Sequence, residues 1–183
     1  PAGRVEVVVL AVEEVELLRR RLARPLGSRQ HFLSFDYDTL HQAQELAGIR
    51  YDMSMGYPDQ PGPRAGFSYP YFPYNLREDR PYRVLQLNLF LMDVTLRSYL
   101  GLRPEPARRA IEKCLQDLHD KRGGASVVWH PIVFGGARDP GYGELYFDLV
   151  RRVGELGGWA TDGRSIDSFW RAAARSYGSF VWA

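Results

Sequence analysis

His130 closes the apolar run Ser126-Val127-Val128-Trp129-His130 and is followed at once by Pro131, which cannot extend a strand ladder. An imidazole at the end of a buried strand changes charge near neutral pH, so it can give or take a proton in catalysis; it can equally bond a neighbouring loop. Arg29 and His31 stand two apart in Arg29-Gln30-His31-Phe32-Leu33. On a strand both would face the same way, and an ordinary arginine–carboxylate pair is one use of such an arginine. Asp52 follows Tyr51, where a carboxylate either contacts substrate or caps a turn. Arg64, within Pro63-Arg64-Ala65-Gly66, either reaches a substrate carboxylate or phosphate or ties down its own loop.

Asp52 and Arg64 belong to a stretch, Gly48 to Tyr74, too rich in Gly, Pro and Tyr for a helix or a central strand. It also exceeds the ~12–15 residues of an ordinary connection. Its rings favour order, so the expectation is an aromatic-lined lid over a ligand pocket, carrying Asp52, Asp59 and Arg64. Phe67, Tyr69, Tyr71, Phe72 and Tyr74 would stack on sugar rings or simply pack the Pro-rich loop. Trp129 reads as core. His41 and His119 fall on expected helices as surface or capping residues.

The elements that must position these groups alternate. Val5 to Val12 reads as a strand buried on both faces and Glu13 to Ala23 as a helix. Gln30 to Phe35 reads as a second strand, and Tyr37 to Ala47 as a helix closed by Gly48. Tyr82 to Asp93 alternates as one strand, with Leu85, Leu87, Leu89 and Leu91 opposite Gln86, Asn88 and Phe90. Pro104 to Arg122 has proline near its start, Ile111, Cys114, Leu115 and Leu118 on one face, and Gly123-Gly124 after it. Ala125 to His130 is a strand, then a Gly- and Pro-rich loop runs through Gly143. Glu144 to Val153 is a helix, Trp159-Ala160 a short strand, and Ser165 caps a last helix burying Ile166, Phe169, Trp170 and Ala173. Such alternation predicts a mostly parallel sheet, whose ligands bind at the carboxyl ends of the strands.

Composition sets the class. At 183 residues and 45% hydrophobic the chain reads as one domain over 1–183 with a real core. No apolar run approaches a membrane span, and the single cysteine, Cys114, fits a reducing compartment; a cytoplasmic location is expected. The net charge is +2, and Arg19-Arg20-Arg21 would point three ways from a helix, so neither nucleic acid nor membrane is expected as a partner. A homo-oligomer through the Tyr-rich loop is an open alternative.

Tyr51-Asp52-Met53-Ser54-Met55-Gly56-Tyr57 followed by Gly62-Pro63-Arg64-Ala65-Gly66 resembles the "YDSSLGY…GFRAG" segment of polysaccharide deacetylase-like proteins with the NodB homology domain. The resemblance takes in Arg29 to Leu33, Leu91-Met92-Asp93-Val94-Thr95-Leu96 and Val127-Val128-Trp129-His130, and covers roughly Arg29 to His130. Pro63 departs from the family's Phe. The resemblance implies a distorted (β/α)7 barrel, here possibly incomplete at its N-terminal strands. It implies hydrolysis of an N-acetyl amide on a sugar, with a divalent metal such as zinc polarising the carbonyl and activating water. It implies His130 as catalytic acid, Arg29 and Asp52 beside it, and Arg64, His31, Tyr51, Tyr69, Tyr71 and Trp129 against a saccharide.

The family's metal ligands do not recur. Histidines 31, 41, 119 and 130 include no pair four apart, and Gly3 to Ala11 holds neither His nor Asp. The metal set is therefore read as none, with a site rebuilt from His31, Asp36, Asp38 and His130 as a minor alternative. Three explanations compete: first strands supplied by sequence upstream of Pro1, a degenerate member acting as a saccharide-binding or assembly subunit, or metal-independent chemistry by His130, His31 and a carboxylate.

Overall fold

The computed structural model describes residues 27–37, 39–135 and 140–176. The expected strand Val5–Val12, the helix Glu13–Ala23 and the Arg19–Arg21 cluster lie outside the described residues, as does Asp38. The chain divides into two compact units. The first takes Pro1–Ser54, Pro70–Leu87 and Thr161–Ala183; the second takes Met55–Tyr69 and Asn88–Ala160.

In the first unit three short parallel strands, β1 (Gly27–Ser28), β2 (Tyr51–Asp52) and β5 (Leu85–Gln86), pair in the order β1-β2-β5. A separate antiparallel pair joins β3 (Tyr74–Asn75) to β4 (Arg80–Pro81). Helix α1 (Leu40–Leu46) ends as expected, with Gly48 at φ 69°, the left-handed conformation that glycine adopts without strain. Gln30 to Phe35 is not a strand. His31–Leu33 is a 3-10 turn with Phe32 at φ 55° and Leu33 at φ 53°, and two consecutive left-handed residues break any extended run.

The last helix of this unit, α4 (Gly163–Ser176), differs from expectation in its cap and its face. Asp162, not Ser165, supplies the cap, its carboxylate accepting from the Ser165 amide at 2.8 Å. The buried residue of α4 is Asp167, 1% exposed, while Phe169 is 58% exposed. Asp167 takes Arg50 at 2.7 Å and Arg171 at 2.6 Å, and Arg171 donates on to the carbonyls of Arg50 and Arg83. The helix is held by a charged clasp where an apolar stripe was expected.

The second unit holds β6 (Leu89–Met92) and β7 (Ser126–Val128), a parallel pair in which Met92 faces Val128. A π-turn, Thr95–Tyr99, follows β6; helices α2 (Pro104–Asp120) and α3 (Tyr142–Glu155) complete the unit. Pro104 sits in the first turn of α2, and Ala107, Ile111 and Leu115 pack with Leu145, Leu149 and Tyr142 of α3, as both apolar stripes require. The loop expected through Gly143 instead forms a 3-10 turn, Pro131–Gly135, and gives way to α3 two residues early. Trp159 and Ala160 form no strand.

Tyr82 to Asp93 is thus two strands in two sheets, not one. The alternation misled because its polar positions are buried as well: Gln86 and Asn88 are 0% exposed. Each finds partners, Gln86 with His41 and the Asp52 carbonyl, Asn88 with the Phe67 carbonyl. The described residues form a mixed α/β structure of small, mostly parallel sheets with no closed barrel.

Candidate functional site

The residues singled out from sequence fall in both units. Arg29, His31, Tyr51, Asp52 and Tyr71 belong to the first, and Arg64, Tyr69, Trp129 and His130 to the second.

In the first unit the motif residues serve mainly to hold one another. Asp52 is 0% exposed and accepts four hydrogen bonds: from Ser28 Oγ at 3.1 Å, Gln44 Nε2 at 2.7 Å, the Ser54 amide at 2.8 Å and Ser54 Oγ at 2.7 Å. The bond to the amide two residues on is the turn cap weighed from sequence. A carboxylate so sealed and so fully engaged has no open position for water or substrate. Arg29 donates from Nε to the Met53 carbonyl at 3.3 Å. Burial pushes its pKa down, and the Asp52 charge partly restores it. His31 is exposed, its ring 4.2 Å from that of Phe32.

Tyr51 occupies a slot between two glycines. A Cβ on Gly27 would fall 2.0 Å from the Tyr51 ring and one on Gly163 2.4 Å from it, so the ring needs both glycines. Tyr71 bridges Gln86 through paired backbone bonds, and burial raises its phenol pKa. Phe72 lies under the Arg171 guanidinium, 5.1 Å from the ring centre, and the Tyr74 hydroxyl donates to Asp79 at 2.8 Å. His41 corrects an expectation: it is 1% exposed, not on the surface, and bonds Gln86 at 3.0 Å. Burial lowers its pKa against the opposing pull of Gln86 and Asp52. His119 is half-exposed beside Asp120, as expected.

The second unit holds the arrangement with chemical potential. Parallel pairing of β6 and β7 brings their carboxyl ends together, and there His130 Nδ1 lies 2.6 Å from Asp93 Oδ1. The Asp93 side chain is 0% exposed and the His130 side chain 44% exposed. An imidazole backed by a buried carboxylate on one nitrogen, in a side chain that reaches solvent, is an arrangement that can exchange protons as a general acid or base. Arg97, one turn beyond, places Nε 3.5 Å from Asp93 Oδ2, the oxygen that lacks a hydrogen bond. Trp129 packs against the core and donates its indole N–H to the Tyr142 carbonyl at 2.9 Å. The Tyr69 hydroxyl donates to the Lys121 carbonyl. Arg64 is exposed and makes no hydrogen bond or ion pair among the described residues.

Gly56, in the Met-Gly-Tyr part of the motif, has a packing reason, since a Cβ there would meet Leu89 Cβ at 2.7 Å. Asp93 is the functional candidate that sequence reasoning passed over. Its signal was available, because it ends an apolar run just as His130 does.

A cleft of about 160 Å³ between α2 and α3 is lined by Ile111, Leu115, Leu145 and Leu149. Its rim arginines are already neutralised: Arg108 by Asp148, Arg151 by Asp148 and Glu155, Arg152 by Glu112 and Glu155. Among the described residues no three His, Cys, Asp or Glu side chains come together as a metal site. His41 and Asp52 are buried in their own bonds and Asp93 holds His130 Nδ1, so the donors present do not fit the implied divalent metal. No helix among the described residues is long and apolar enough to cross a membrane. The chain matches no protein-family profile, no curated protein and no solved structure. The likeness to polysaccharide deacetylases therefore rests on the quoted motifs alone.

Proposed function

We propose that this chain is a polysaccharide deacetylase-like domain that hydrolyses the N-acetyl amide of a sugar, with His130 delivering a proton to the leaving amine. The observation that carries the reading is the 2.6 Å bond between His130 Nδ1 and the sealed Asp93 carboxylate. A buried anion behind the ring stabilises the imidazolium, and Nε2, unbonded among the described residues in a part-exposed side chain, is where a leaving nitrogen would meet it. Arg64, exposed and unbonded among the described residues, supplies a cation for a substrate carboxylate or phosphate. The finer elements of the reading are a (β/α)7 barrel, a cytoplasmic setting and a saccharide partner.

A second reading, a saccharide-binding or assembly subunit without catalysis, is favoured by Asp52, whose carboxylate is spent on four hydrogen bonds that hold its own unit together. One experiment separates the two. Acetate release from N-acetylglucosamine oligomers is measured for wild type and His130→Ala, with bound zinc and cobalt assayed in the same preparations. Hydrolysis lost about 10²–10⁴-fold in the variant supports the first reading. No acetate from wild type, with oligomer binding intact by calorimetry, leaves the second. Neither acetate nor binding rejects both.

A further inference from the structure

The Asp93 carboxylate is shared. Oδ1 meets His130 Nδ1 at 2.6 Å, and Oδ2, without a hydrogen bond of its own, faces Arg97 Nε at 3.5 Å. The carboxylate is 0% exposed and the arginine side chain only 16% exposed, so water screens this pair weakly. Among the described residues His130 has no other ionisable partner than Asp93, and Asp93 has only His130 and Arg97.

A buried carboxylate demands one compensating positive charge. Were His130 its only partner, the anion would be compensated only while the imidazole held two protons. Arg97 is permanently charged and meets the demand whether or not His130 is protonated. The ring is thereby released to be neutral, its Nδ1 proton held by Asp93 and its Nε2 lone pair directed to the exposed side.

We propose that Arg97 is a positioning residue that keeps His130 neutral at rest, so that one imidazole first accepts a proton at Nε2 and then donates it. The proposal rests on the hydrolytic reading of His130 and deepens it. Asp52, the carboxylate expected to share in the chemistry, is sealed beneath four donors, whereas His130 is 44% exposed and its Nε2 makes no hydrogen bond among the described residues. In the resulting sequence the oxygen of a water forms a bond to the amide carbonyl carbon as one of its protons passes to Nε2. The C–N bond then breaks, its electron pair stays with nitrogen, and the Nε2 proton passes to that nitrogen. Acetic acid and the free amine leave, and His130 is neutral again.

The π-turn serves this placement. Thr95–Tyr99 carries the i+5 bond from the Leu100 amide to the Thr95 carbonyl at 3.0 Å, and it begins two residues after Asp93. Such turns are uncommon and concentrate at functional sites.

The test needs no turnover, so its failure is distinguishable from failure of the hydrolytic reading. Nitrogen-15 imidazole spectra of the full chain are recorded across pH 5 to 9 for wild type, Arg97→Met and Arg97→Lys. Wild type is expected to show the neutral Nδ1–H tautomer of His130 at pH 7.5. In Arg97→Met, His130 should hold its second proton about ten-fold more tightly, and Arg97→Lys should restore wild-type behaviour. An imidazolium or an Nε2–H tautomer in wild type at pH 7.5 overturns the proposal, and that measurement stands even if neither variant folds. A folded Arg97→Met whose His130 titrates as wild type overturns it as well.

Discussion

The hydrogen bond between His130 and Asp93 joins two groups of opposite accessibility, one ring edge in solvent and one carboxylate out of it. Asp93→Asn keeps the shape and removes the charge, so it isolates the electrostatic part of the dyad. On the hydrolytic reading its kcat for acetate release falls by about 10²-fold or more while the dissociation constant for the oligomer stays near wild type. A variant whose kcat matches wild type removes Asp93 from the chemistry. Cys114, by contrast, is pushed up to about 11 by burial and by the neighbouring Asp117, which leaves little thiolate at neutral pH. At this scale the sequence placed His130 just after an apolar strand and offered the turn-capping geometry of Asp52, because both signals are local. It could not say that His41 is buried, since only the placement of Gln86, 45 positions away, supplies its partner.

Elements were legible where their determinants lie within a turn or two of the chain. Pro104 at the start of α2, the Gly48 stop after α1 and the Leu145–Leu149 spacing of α3 each did what backbone stereochemistry and 3.6-residue periodicity require. The clasp of α4 was not legible, because an aspartate among Ile166, Phe169 and Trp170 reads as an exposed position until Arg50 is known to lie against it. Removing one partner of a buried pair leaves the others uncompensated. Arg50 is 44% exposed and Arg171 22% exposed, so solvent screens part of that penalty. Asp167→Ala should therefore destabilise the fold by about 1–3 kcal/mol, read from the urea midpoint. A change below about 0.5 kcal/mol would show that the contacts of Asp167 with Arg50 and Arg171 do not hold the helix in place.

For the molecule as a whole, the chain passes between its two units at Ser54–Met55, Tyr69–Pro70, Leu87–Asn88 and Ala160–Thr161. Neither unit is a continuous segment of the chain. Global stability should carry the mark of His41. Its pKa in the fold is lowered by burial, whereas the unfolded chain takes the proton near pH 6.5. Below that value the unfolded state binds more protons than the native one, so stability falls with pH until the lowered native value is passed. The slope reaches at most about 1.4 kcal/mol per pH unit for one group. The urea midpoint is expected to drop between pH 7.5 and pH 5.5, and His41→Gln should flatten that drop. An unchanged pH dependence in a folded His41→Gln protein rejects the assignment.

What the sequence determined by itself was the mixed α/β character, the presence of all four described α-helices, and an imidazole just after an apolar strand. These depend on side-chain spacing and on Pro and Gly stereochemistry, which act over a few residues. Tertiary structure decided that Tyr82–Asp93 splits between two sheets, that the aromatic loop is divided between two units, and that Asp93 stands behind His130 across 37 positions of chain. Such pairings are set by which buried polar groups can satisfy one another, and that depends on residues far apart in sequence and adjacent only in the folded protein.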